Sequence, residues 1–154
     1  MEIFLLRHGN AESTAPRDRD RRLSAEGREE VHQVLKRSQS HLTHVDGVLV
    51  SPFVRAQQTW EIAHQYLPHI SAEQSQTVDF LKPSGSPQAV IDWLYASPQK
   101  AILMVTHQPL VGTLLDELCG FEPGLYRMGT AALAALETEI VARGLGRFLW
   151  LQQP

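Results

Sequence analysis

The chain has 154 residues, 43% hydrophobic and 20% charged, the balance of an ordinary globular domain with enough material for a real core. Its formal net charge of −3 gives bulk electrostatics no reason to attract nucleic acid, and no apolar run approaches the roughly 20 residues that span a bilayer. Cys119 is the single cysteine, which excludes an internal disulfide framework, and the N-terminal apolar stretch is too short for a signal-peptide core, so the cytoplasm is the expected compartment.

Glu2 to Arg7 reads as a short buried strand closed by Gly9. Asn10 to Arg22 is a polar loop dense in charge, with Arg17, Asp18, Arg19, Asp20, Arg21 and Arg22. Ser24 is a helix N-cap with Glu26 well placed for the dipole, and Val31, Val34, Leu35 and Leu42 share one face. Gly47 to Val50 is a second buried strand. Ser51 is expected to cap the next helix, with Pro52 in its first turn and Phe53, Ala56, Trp60, Ala63 and Leu67 as its apolar stripe. Thr77 to Leu81 is a candidate third strand. Ser86-Pro87 repeats the cap-then-proline signal ahead of Val90, Trp93 and Leu94.

Ala101 to Val105 is the clearest strand. Leu110, Val111, Leu114, Leu115 and Leu118 form a helix face that Gly120 ends. Cys119, at the end of that pattern, reads as packing. Ala131 to Leu136 and Arg147 to Leu151 are two further strands joined by a turn with Gly144 and Gly146. No repeat, low-complexity tract or linker interrupts the chain, so residues 1–154 are expected to form one domain. The alternation of strand and helix implies an α/β fold with a largely parallel sheet and antiparallel strands near the C-terminus.

Ligands of such sheets sit beyond the carboxyl ends of the strands. Arg7 and His8 end the first strand, Arg55 lies in the first turn after the second, and His107 ends the strand at 101–105. All three sites project to one edge. A histidine there can attack phosphorus while arginines neutralise the phosphoryl oxygens. The segments Leu6-Arg7-His8-Gly9, Leu23-Ser24-Ala25-Glu26-Gly27, Ser51-Pro52-Phe53-Val54-Arg55-Ala56-Gln57-Gln58-Thr59 and Val105-Thr106-His107 resemble the motifs of the histidine phosphatase superfamily, which includes phosphoglycerate mutases and acid phosphatases. Ser51-Pro52-Phe53, Leu81-Lys82-Pro83-Ser84-Gly85 and His107-Gln108-Pro109-Leu110-Val111-Gly112 are similar to the short SixA-type phosphohistidine phosphatases, a likeness over nearly the whole chain.

The resemblance implies a three-layer α/β/α, phosphoglycerate mutase-like fold. It implies His8 as a nucleophile that becomes phosphohistidine, with Arg7, Arg55 and His107 around the phosphoryl group. It makes Arg21 a further phosphate-side arginine, with Arg22 left open as its neighbour. Ser51 and Gln108 are candidate substrate contacts, each with a bland reading beside it: a helix cap for Ser51, helix-start packing for Gln108. No cofactor and no metal are expected, because His8 and His107 lack the partners of a zinc site. His32, His41, His44, His64 and His69 read as surface residues.

The general acid of many superfamily members has no clear counterpart. Phe80 stands where related sequences can carry an acid, and Asp79, Asp18 and Asp20 are the candidates. A phosphohistidine leaves as imidazole, which carries its own protonatable nitrogen and needs less help than an alkoxide. The 10–22 loop is short and little room for a lid exists between Leu81 and Ser86, so an open edge is expected, which suits a phosphorylated protein surface. The leading expectation is therefore a monomeric phosphatase acting on phosphohistidine in a phosphorelay or phosphocarrier domain. The alternatives are a small-molecule phosphomonoesterase or mutase on the same scaffold, and a non-catalytic phosphate-binding module.

Overall fold

The computed structural model describes all of residues 1–154. Its chain order is β1 (Glu2–Arg7), α1 (Ala25–Ser38), β2 (Gly47–Val50), α2 (Val54–His64), β3 (Ser75–Thr77), α3 (Pro87–Ala96), β4 (Ala101–Thr106), α4 (Leu110–Cys119), β5 (Leu133–Glu137) and β6 (Arg147–Gln152). One sheet runs in the order β3-β2-β4-β1-β5-β6. The first four of these are mutually parallel. β5 lies antiparallel to β1, and β6 antiparallel to β5.

Helices cover both faces, which is why the central strands read as continuous apolar runs. The strand period of two sorts their side chains. Phe4, Leu6, Val48, Val50, Leu103 and Val105 pack on α1 and α2, while Ile3, Leu5, Leu49, Ile102 and Met104 pack on α3 and α4. The result is the three-layer α/β/α arrangement. No helix is long and apolar enough to cross a membrane. The Cys119 thiol is pushed up to about 11, first by burial and then by the nearby Asp116 charge, so it is an inert packing group.

Two local readings need correction. Thr77 to Leu81 is not a strand. The strand is Ser75–Thr77, a polar edge strand paired only with β2, and Asp79–Leu81 forms a 3-10 turn that buries Leu81 completely. Ser51 does not cap α2. That helix starts at Val54, its N-cap is Phe53, and no side chain caps it. The Ser51 hydroxyl is drawn instead to His107, a partner outside its own segment. Ser24 and Ser86 do cap their helices, accepting from Gly27 N at 3.0 Å and Ala89 N at 3.4 Å. Gly120 ends α4 at φ 69°.

The register positions the site. β1 pairs with β4 so that Arg7 faces Thr106, and β2 pairs with β4 so that Val50 faces Val105. The next residues, His8, Ser51 and His107, therefore emerge side by side. From β1 the chain leaves to α1 on one face, and from β4 to α4 on the other, so the crevice opens between these two strands.

The loop after β1 is held against α1 by close backbone contact. A Cβ on Gly27 would stand 2.0 Å from the Asn10 carbonyl oxygen, and a Cβ on Gly9 2.4 Å from that of Gly27. Ser24 Oγ donates to Asn10 Oδ1 at 3.0 Å in the same corner. Gly27→Ala should destabilise the protein by about 1–3 kcal/mol through overpacking. Thermal melts of the variant check this, and an unchanged Tm would contradict the close packing.

Candidate active site

His8 is anchored on both sides by backbone: its N–H donates to Thr106 O at 3.0 Å, and its carbonyl accepts from Ala131 N at 3.0 Å. Its ring Nδ1 lies 2.7 Å from the Gly9 carbonyl. A carbonyl only accepts, so Nδ1 carries the proton and Nε2 keeps its lone pair. That lone pair accepts from Arg55 Nε at 3.2 Å. The pKa of His8 is pushed down to about 4. Burial is the main cause; the Gly9 bond opposes it, and the charges of Arg55, Arg7 and Arg21 push further down.

His107 sits beside it, ring centroid to ring centroid 4.9 Å. Its Nε2 pairs with Ser51 Oγ at 2.7 Å, and its buried Nδ1 has no partner. Burial, then the neighbouring His8 and Arg55, hold its pKa down to about 2. Phe53 meets the His107 ring edge-on at 5.1 Å and lies 5.0 Å below the Arg55 guanidinium. Arg7 donates through Nη1 to the Met128 carbonyl at 2.9 Å, and its buried Nε has no partner. Arg7 Nε and His107 Nδ1 are thus buried polar atoms without partners, suited to the oxygens of an anion.

Arg55 is 4% exposed and uses all three nitrogens. Besides His8 it bonds Asp18, through Nη1 to the carbonyl at 2.8 Å and through Nη2 to the carboxylate at 3.1 Å. Arg21 reaches the other Asp18 oxygen at 3.1 Å and the Glu12 carbonyl at 2.7 Å. Arg21 is thus the loop arginine turned toward the site, while Arg22 is exposed. The Asp18 carboxyl is held below its ordinary range: partial burial raises it, but the bonds from Arg21 and Arg55 outweigh that.

Several expected site residues lie elsewhere. Asp20 is paired with Arg17 at 2.6 Å, and Asp79 with Lys82 at 2.9 Å on a side chain 81% exposed. Neither bonds Arg7, Arg21 or Arg55. Ser51 is fully buried behind His107, so it acts on that ring rather than on substrate. The Gln108 amide is taken up internally, Oε1 accepting from Gly112 N and Nε2 donating to Met128 O, both at 3.3 Å. That is the helix-start packing reading. No cluster of three or more His, Cys, Asp or Glu side chains is placed to hold a metal ion.

Sequence reasoning missed the supports. Thr59 Oγ1 accepts from Gly9 N at 3.3 Å and donates to the Arg55 carbonyl at 2.7 Å, tying the β1 loop to α2. Gln58 Oε1 accepts from Leu23 N at 2.8 Å. Glu30 accepts from Asn10 N at 2.9 Å, and its charge favours the cationic form of Arg7. Thr59 and Gln58 lie within a quoted motif, but nothing local reveals these partners.

Comparison with known proteins agrees with this arrangement. Residues 3–79 match the model of the histidine phosphatase superfamily (branch 1). The chain is 32% identical to the phosphohistidine phosphatase SixA of Escherichia coli (strain K12), over 100% of this chain and 94% of that protein. It is 36% identical to a phosphohistidine phosphatase SixA homolog of Haemophilus influenzae over 78% of each. The solved structure of the protein histidine phosphatase SixA complexed with tungstate superimposes with a TM-score of 0.89 at 32% identity, covering 100% of this chain and 97% of that one. The chain belongs to the histidine phosphatase superfamily, branch 1. Within that family it is SixA-like.

The low pKa values have a measurable consequence. Between about pH 6.5 and 4 an unfolded His8 binds a proton that the folded one refuses, so the unfolded state binds more protons. Stability is therefore full above pH 6.5 and falls as pH drops through that window, with His107 extending the loss toward about pH 2. An NMR titration should show His8 neutral, protonated on Nδ1, down to about pH 4. A midpoint near the ordinary histidine value would contradict the buried, arginine-flanked placement.

Proposed function

We propose that the protein is a phosphohistidine phosphatase that takes the phosphoryl group from a histidine on a protein partner and passes it to water by way of His8. The observation that carries the reading is the His8 imidazole itself: Nδ1 committed to the Gly9 carbonyl, Nε2 unprotonated, and Arg55, Arg7 and His107 around it. The names of the similar SixA proteins support it.

His8 Nε2 attacks phosphorus, and the substrate P–N bond breaks with its electron pair returning to the substrate nitrogen. A substrate imidazole protonated on its other nitrogen leaves neutral. His8 is then phosphorylated on Nε2 and protonated on Nδ1, with the Gly9 carbonyl receiving that N–H. Water next attacks phosphorus, the Nε2–P bond breaks, its pair returns to His8, and the water proton leaves with phosphate or to solvent. Arg55 and Arg7 offset the charge on the phosphoryl oxygens. His107 donates through Nδ1 when Ser51 supplies the hydrogen of their mutual bond.

The acids also favour a P–N substrate. Asp18 is ionised between two guanidinium groups, and Asp20 and Asp79 are paired away from the site. An alkyl ester needs a proton on its departing oxygen, and no free carboxyl group stands ready to give it.

Phosphate release from a phosphohistidine-bearing protein and from an alkyl phosphate such as glycerol phosphate, measured in parallel, tests this. The phosphohistidine substrate should turn over much faster. His8→Ala should abolish turnover of both, and His107→Ala should lower kcat by about 10²–10³-fold, as for loss of one charge-stabilising donor. Equal or faster turnover of the ester would overturn the substrate assignment.

A further inference from the structure

Asp18 stands over the two arginines that a phosphoryl group would use. It begins a 3-10 turn on the loop after β1. Its own side chain is 58% exposed, while the Arg55 side chain beneath it is 5% exposed. One carboxylate oxygen takes Arg55 Nη2 and the other takes Arg21 Nη1, each at 3.1 Å. The Asp18 carbonyl takes Arg55 Nη1 at 2.8 Å, and Arg55 Nε is on His8. Every nitrogen of Arg55 is thereby engaged. His8 and His107 are 8% and 1% exposed. The imidazoles are therefore buried rather than set on an open edge, and the loop takes hold of the site through Asp18 on Arg55.

We propose that Asp18 is a carboxylate latch, an internal anion on Arg55 and Arg21 that a phosphoryl group must displace in order to bind. The inference rests on the phosphatase reading above. A carboxylate and a phosphoryl group present the same pair of oxygens to a guanidinium fork, so they compete for the same donors. They cannot share them closely, because two anions at one site repel. Displacement is easy for Asp18, since more than half of its side chain already faces water. The same competition works on the product. Each phosphate held by Arg55 forfeits the Asp18 bonds, and the returning carboxylate helps expel it. Asp18 is thus a positioning residue that holds the arginines between turnovers and limits how tightly phosphate stays.

The alternatives predict the opposite sign. If Asp18 only orients Arg55, removing it weakens anion binding. If it competes, removing it strengthens anion binding. Calorimetric titration of inorganic phosphate into the full chain separates them, using wild type, Asp18→Asn, Asp18→Ala and Arg55→Ala. Both Asp18 variants are expected to bind phosphate about tenfold more tightly, the change given by loss of one charge-assisted contact. Phosphate should inhibit their turnover more strongly by a similar factor. Unchanged or weaker binding in both would overturn the latch and leave Asp18 as a strut for Arg55. Arg55→Ala should lose phosphate binding. If it keeps wild-type affinity, the site assignment itself fails, and the latch with it.

Discussion

The hydrogen bond from His8 Nδ1 to the Gly9 carbonyl, at 2.7 Å, is the constraint on which the rest of the site depends. It fixes the tautomer, and so fixes which nitrogen is a lone pair. It also fixes the ring plane, which puts Nε2 on Arg55. The residue that supplies the carbonyl, Gly9, is held from three directions. β1 delivers it, Thr59 on α2 accepts its N–H, and Gly27 on α1 packs against it with no room for a side chain. Three elements of the fold thus converge on one residue, and the imidazole inherits their rigidity.

Electrostatics and burial act together on that imidazole. Burial alone disfavours a charged ring, and the neighbouring guanidinium groups push in the same direction. The neutral ring can then accept a hydrogen bond from Arg55, which a protonated ring could not. So the arginines together lower the pKa of His8, and Arg55 occupies the nitrogen they keep free of a proton. Their own charges are offset by Asp18, by Glu30 near Arg7, and by the carbonyls of Met128 and Glu12. Without those acceptors, so many buried donors would be costly.

The strands that make the site were legible because a sheet covered on both faces leaves continuous apolar runs. β1, β2 and β4 announce themselves in that way, and the Arg7-His8, Arg55 and His107 positions follow from their ends. β3 was misplaced for the converse reason. Ser75-Gln76-Thr77 is an exposed edge with no apolar signature, while the apolar residues after it belong to a turn packed under α3. Ser51 was misread because Ser-Pro is a sound local helix-start signal, whereas its actual partner is 56 residues away. Among the acids, composition could not separate Asp18 from Asp20. Both lie in the same charged turn, and only the fold decides which one meets Arg55.

That decision bears on selectivity. A histidine nucleophile flanked by arginines can attack almost any phosphoryl group, so the discrimination must come from the leaving group or from recognition of the rest of the substrate. In this site the one carboxylate near the reacting nitrogen is ionised and bound to two cations. Displaced by a phosphoryl group, it leaves the arginines as a carboxylate and carries no proton to give. A leaving group that brings its own proton, as an imidazole does, needs none from the site. Under the proposed reaction, the preference for phosphohistidine then needs no dedicated pocket for the substrate ring. It follows from the ionised state in which the arginines hold Asp18 until substrate displaces it.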